Sequence, residues 1–172
     1  DIHLIFDYNY WTNHKILAAS EGVTQEQFLA PADFPYGGLR GTLVHILDAE
    51  WGWRGLFETL SFGDDLNLDD FPTLKSIEKR WDDEEKAMRD YLSTLKDEDM
   101  TMHLYYKAGN GEQRDRVLWH CLLHVVNHGT QHRSEAAAML TSFGHSPGDL
   151  DVTVFLNETK QGTPRMATLA PI

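Results

Sequence analysis

Residues 118–139 read LWHCLLHVVNHGTQHRSEAAAM. They carry four of the nine histidines, His120, His124, His128 and His132, each four residues after the last. On a helix, residues four apart share a face, with Cβ atoms about 5–6 Å apart. Two neighbouring imidazoles on that stripe can share one metal ion, as in helical His-x-x-x-His sites. A turn takes about 3.6 residues, so each step of four drifts by about 40°, and His120 ends about 120° from His132. One ion cannot collect all four. A neighbouring pair can, and a third ligand must come from elsewhere in the chain.

His128 and His132 are the sharper pair, because Gly129 between them lets a facing element approach closely. Glu135 lies on the same stripe, three residues after His132. It is placed either to orient a ligand imidazole or to accept a proton. The residue after His128 is glycine, so the HE-x-x-H protease motif is absent. His120 and His124 are flanked by leucines and valines and read as half-core residues. His14, His103 and His145 stand alone and read as ordinary structural or surface histidines.

The second of four helices carries another histidine in an unusual setting. Residues 39–61, LRGTLVHILDAEWGWRGLFETLS, place Gly41, Thr42, His45, Asp48, Ala49 and Gly52 on one face. A small, polar face around one imidazole is a poor core filler. It suits a cavity beside His45, with Asp48 as another group able to orient a ligand. The plainer reading is close helix–helix contact at Gly41 and Gly52. Leu43, Ile46, Leu47, Leu56 and the tryptophans supply the apolar side.

The other helices follow from periodicity. Residues 3–20 repeat Leu4, Ile5, Tyr8, Trp11 or Thr12, and Ile16 at helical spacing, with Gly22 as a stop. Prolines and glycines make residues 24–38 mostly loop, with a short helical turn at TQEQFLA. Residues 62–71 form an acidic loop without the ligand spacing of a calcium site. Residues 73–95 give a third helix through Leu74, Ile77, Trp81, Met88, Tyr91, Leu92 and Leu95, its charges on the wet face. Residues 101–117 alternate about GNG and predict a β-hairpin turning at Asn110-Gly111. The fourth helix carries the histidines to about Phe143. An apolar DVTVFL segment follows, and residues 158–172 read as an extended tail.

At 172 residues the chain fits one domain, residues 1–172. Its net charge of -12 argues against nucleic acid and anionic membranes as partners. No apolar run approaches a membrane span, and the opening DIHLIFDYNYW has no signal-peptide pattern. The single cysteine, Cys121, precludes an internal disulfide and fits a cytoplasmic protein. Surplus aromatic surface, with Trp51, Trp53, Trp81 and Trp119, points to a homodimer.

FDYNYW in the first helix, LVHILDAEWGWRG in the second, HVVNHGTQHRSE in the fourth and SPGDLDVTVFL near the end resemble the DinB/YfiT-like family, named for a damage-inducible protein. The resemblance spans roughly residues 3–157, with the motifs in the family's order. It implies an all-α four-helix bundle of up-down-down-up course, here with a small hairpin between the third and fourth helices. It also implies a metal site of one histidine from the second helix and two from the fourth, by position His45, His128 and His132. The family's frequent HRGQ is HRSE here, so Ser134 and Glu135 depart from its pattern.

Three imidazoles leave a coordination position open, as catalytic rather than structural sites do. The expected cofactor is a divalent transition metal, zinc or nickel, although imidazole also suits iron and copper. Relatives act as thiol-dependent S-transferases with bacillithiol or mycothiol, or as metal-dependent isomerases or hydrolases. The chain is therefore expected to be a metal-dependent thiol S-transferase acting on a small molecule, with a low-molecular-weight thiol as co-substrate. The alternatives are a metal-dependent hydrolase and a non-catalytic metal-binding stress-response protein. Cys121 lies among Trp119, Leu122 and Leu123, where burial would silence its thiol.

Overall fold

The computed structural model describes residues 1–160. In chain order these form α1 (Ile2–Ser20), α2 (Gln25–Leu29), α3 (Leu39–Thr59), α4 (Leu74–Thr94), β1 (His103–Lys107), β2 (Gln113–Val117), α5 (Leu118–Ser142) and α6 (Val152–Glu158). Short 3-10 turns occupy Leu68–Asp70 and Asp97–Thr101. Asp1, Thr24, Thr73 and Asp151 cap α1, α2, α4 and α6, each side chain accepting a first-turn backbone N–H. Such a cap contributes about 1 kcal/mol. No helix among the described residues is long and apolar enough to cross a membrane.

Side-chain pairs give the course of the bundle. On α1 and α4, Asp7 meets Arg89 at 2.7 Å and His14 meets Glu85 at 2.8 Å, so these helices are antiparallel. Glu50 meets Trp81 at 2.9 Å and Arg54 meets Glu84 at 2.6 Å, so α3 and α4 are parallel. His45 contacts His132 while Trp53 contacts His124, so α5 runs against α3. The order is up-down-down-up, with the β1–β2 hairpin between α4 and α5. The hairpin turns on Gly109 and Asn110, and Gly111 at φ +86° closes it. This is a three-residue turn rather than a tight Asn-Gly one.

The core is two apolar layers with a polar one between them. Ile16, Leu43, Ile46, Leu47, Ile77, Trp81 and Leu140 belong to the first. Phe6, Tyr10, Phe57, Met88, Leu118, Leu122 and Val125 belong to the second. Between them Glu50 is buried and accepts from Asn9 Nδ2 at 2.7 Å, Asn13 Nδ2 at 2.9 Å and Trp81 Nε1 at 2.9 Å. Arg133, also buried, donates to the Oδ1 atoms of the same asparagines at 2.6 and 2.8 Å. Burial raises the Glu50 pKa even against three donors. Burial also pushes Arg133 down to about 10, which leaves it charged at neutral pH.

Three expectations are corrected here, on the α1 stripe, on Trp81 and on the start of the tail. The inward stripe of α1 is not the one through Leu4, Ile5 and Tyr8; Phe6, Asn9, Tyr10, Thr12 and Asn13 are buried with Ile16. The helix is rotated so that both asparagines reach the polar layer. The apolar DVTVFL segment, given no secondary structure from sequence, forms α6, because Asp151 caps it and Phe155 packs on Tyr8 and Trp11 at ring-centroid distances of 5.8 and 5.6 Å. Trp81 belongs to the core at 2% exposure, whereas Trp119 is 44% exposed. The tail expected at 158–172 begins inside α6, and its residues beyond 160 lie outside the described ones.

Replacing Arg133 with methionine should lower stability by about 3–5 kcal/mol, because Glu50 is left buried without a compensating cation. Urea unfolding of Arg133→Met reads this directly. A loss below about 1 kcal/mol would show that the layer does not act as a charged unit.

Candidate metal centre

Antiparallel α3 and α5 bring His45 opposite His128 and His132. Their three ring centroids lie 4.5–4.8 Å apart. One nitrogen from each falls within 4.8 Å of the others. His45 Nε2 and His128 Nε2 stand 3.0 Å apart. Two such lone pairs facing each other need a shared proton or a shared cation. Around a tetrahedral ion with bonds of about 2.0–2.1 Å, two imidazole nitrogens sit about 3.3 Å apart. The His45–His128 spacing lies within a few tenths of an ångström of that value.

The protonation chemistry suits ligation. Burial, reinforced by the other imidazoles, lowers His45 and His128 to about 4. Both are therefore neutral at neutral pH, with a lone pair to give. His132 Nδ1 is 2.9 Å from Glu135 Oε2. The carboxylate accepts the Nδ1 proton, so Nε2 is left as the donor atom toward the cluster. Glu135 thus puts a carboxylate on the His132 imidazole. His128 Nδ1 is buried and has no hydrogen-bond partner among the described residues.

His45 is held differently. The Tyr36 ring stacks on it at a centroid distance of 3.4 Å and meets His132 edge-on at 5.2 Å. Tyr36 sits in the loop before α3, and a Cβ on Gly41 would lie 2.0 Å from its carbonyl oxygen. Gly41 is thus required by a loop, not by a helix–helix contact. Gly52 meets only Phe62, at 3.6 Å. Asp48, Ala49 and Gly52, with Trp53 and Phe62, do line a cavity of about 400 Å³, but His45 is not in its wall, so it is not the space expected beside that imidazole. Asp48 accepts the Leu66 N–H at 2.7 Å, so its carboxylate fixes the acidic loop instead of an imidazole. Burial raises its pKa.

Gly129 leaves room for Arg133 and Asn9. A Cβ there would lie 2.5 Å from Arg133 Nη1 and 3.1 Å from Asn9 Oδ1. The polar layer and the histidine cluster therefore share a wall. His120 and His124 are exposed rather than half-core, although the His124 ring still meets Trp53 of α3 at 5.1 Å. His103 pairs with Asp115 and His14 with Glu85, both away from the cluster. Cys121 is buried, and burial raises its pKa.

Periodicity did not single out Tyr36, Asn9, Asn13, Glu50 or Arg133. Two asparagines four apart on an apolar helix, and an arginine beside a ligand histidine, were the available signals. Tyr36 carried none, because its partner is 9 residues away on another element.

Comparison with known proteins gives the chain's family. "Protein DinB" of Bacillus subtilis (strain 168) is 25% identical over 161 residues, covering 91% of this chain and 94% of that protein. The DinB family model matches residues 2–166, which include all four long helices and the three clustered histidines. The chain belongs to the DinB family.

Proposed function

We propose that His45, His128 and His132 hold one divalent transition-metal ion, zinc or nickel, and that the protein is a metal-dependent thiol S-transferase. The observation carrying this reading is the convergence of three imidazoles with Glu135 aiming one of them. Three protein donors leave room for an exogenous ligand. When bound, the ion supplies Lewis acidity, which lowers the pKa of a coordinated sulfur or water. The chain's own residues do the positioning. Glu135 holds the His132 proton on Nδ1, and the Tyr36 ring fixes the plane of His45. Cys121, buried with a raised pKa, is a poor nucleophile, which favours a small thiol from solution. Such thiols are kept reduced in the cytoplasm, where we place the reaction.

Alanine at His45, His128 or His132 should abolish stoichiometric metal, measured by elemental analysis of protein purified without a histidine tag. Full retention in one variant removes that residue from the site. The metal-free protein should lose stability as pH falls from 6.5 to about 4. Within that window the unfolded chain takes up protons that His45 and His128 refuse when folded. His128→Gln should reduce the loss, read from denaturation midpoints across pH.

Conjugation of a chloro-aromatic or epoxide with glutathione, bacillithiol, mycothiol or cysteine should require both thiol and metal. It should survive Cys121→Ser and vanish in His128→Ala. Turnover without thiol assigns hydrolysis, and metal binding without turnover assigns a non-catalytic role.

We also propose a homodimer. Trp119 and Leu123, 44% and 45% exposed, border a groove of about 700 Å³ whose apolar floor includes Ile2, Ile5, Leu95 and Met100 and whose edge carries Asp1, His3, Lys96 and Asp97. Light scattering at micromolar concentration should give twice the 19.7 kDa chain mass, and Leu123→Glu should halve it. A wild-type mass near one chain would sink the dimer.

A further inference from the structure

Another cavity, of about 400 Å³, opens one ring away from the three histidines. Trp53 from α3, Tyr106 and Arg116 from the hairpin, and His120, Cys121 and His124 from α5 form its wall. His124 connects it to the candidate metal centre, its ring centroid 5.1 Å from Trp53 and 5.7 Å from His128. The volume suits a small molecule, whose sites run about 300–1,000 Å³.

The wall combines rings with one strong cation. Trp53 meets Phe62 and Tyr106 edge-on, at centroid distances of 5.3 and 6.0 Å. On the same hairpin His103 contacts Asp115 and Arg114 pairs with Glu112, while Lys107, like Arg116, makes no ion pair among the described residues. Arg116 donates to the Asp115 carbonyl at 3.0 Å and makes no ion pair among the described residues. The chain has a net charge of -12, yet no carboxylate has been placed on this guanidinium. A guanidinium presents a planar fork that matches a carboxylate. An arginine without an acid partner, at a ring-lined cavity, is suited to an anion.

We propose that this cavity binds a planar, anionic small molecule, its ring system against Trp53, Tyr106 and His124 and its carboxylate on Arg116. The far end of such a molecule points past His124 toward His128. The inference deepens the proposed function and rests on it for the reaction, though not for the binding. Cys121 then serves as wall rather than as reactant.

The test uses 2-naphthoate and its uncharged amide, 2-naphthamide. Each is titrated calorimetrically into the full chain, metal-free and with one equivalent of zinc. Naphthoate should bind at least about ten-fold more tightly than the amide in both preparations. Arg116→Gln should erase that preference, Arg116→Lys should keep part of it, and Arg114→Gln should leave it intact. Arg116 is exposed, so these variants should fold, as circular dichroism checks. Equal affinities, no naphthoate binding at millimolar concentration, or a preference surviving Arg116→Gln would overturn the proposal. So would a strict need for zinc, which puts the anion on the ion. Zinc stoichiometry in the same samples separates the two readings. An Arg116 effect without zinc binding keeps the cavity and sinks the three-histidine site, while the reverse result sinks only the cavity.

Discussion

A buried arginine and a buried glutamate face each other across two asparagine amides, and the packing of all four long helices has to satisfy them. Asn9 and Asn13 come from α1, Glu50 from α3, Trp81 from α4 and Arg133 from α5. Each amide gives its N–H to the carboxylate and its carbonyl to the guanidinium. Glu50 and Arg133 need no direct contact, because the amides relay their charges. A charge in a dry interior is tolerated only when paired and hydrogen-bonded. Apolar contacts above and below this layer are compatible with several helix rotations. The layer is compatible with one, and α1 is turned to suit it.

That constraint reaches the histidines through the covalent chain. Arg133 follows His132, and the space it needs explains Gly129, which follows His128. Glu50 lies five residues beyond His45 on α3. Once Glu50 and Arg133 are fixed on facing helices, the register between α3 and α5 is set. His45 is then opposite His128 and His132. A second buried pair, Glu84 held bidentately by Arg54 at 2.6 and 2.9 Å, locks α4 to α3 below it. Glu84 itself is fully buried. The candidate site is thus carried on rigid helices rather than loops, as a ligand triangle with sub-ångström tolerances demands.

Among the described residues, the loop at the site is the one bearing Tyr36. It lies on the start of α3 because Gly41 and Gly38 leave their backbones open, a Cβ at either position falling about 2 Å from a carbonyl oxygen. The result is a ring stacked on His45 where no hydrogen bond to that imidazole's Nδ1 is formed among the described residues. His132 is oriented by a carboxylate, His45 by an aromatic face. Two histidines of one cluster are therefore fixed by different kinds of interaction, one electrostatic and one by packing.

The four long helices, the hairpin and the histidine pair on the fourth helix were legible in the sequence, because helical periodicity and turn chemistry are local properties. The position of His45 as the third member came from resemblance. Its face of small residues showed only that something unusual lay beside it. Glu135 was legible as one of two roles, and its hydrogen bond to His132 matches the orienting one. The rotation of α1, the polar layer, the place of Tyr36 and the exposure of His124 were decided by tertiary structure. Each depends on pairing groups far apart in sequence, Asn9 with Glu50 and Arg133, Trp53 with His124. A period of 3.6 residues records which side chains share a face. It carries no information about which face of another helix will meet them, since that choice is made when buried polar groups find their only partners.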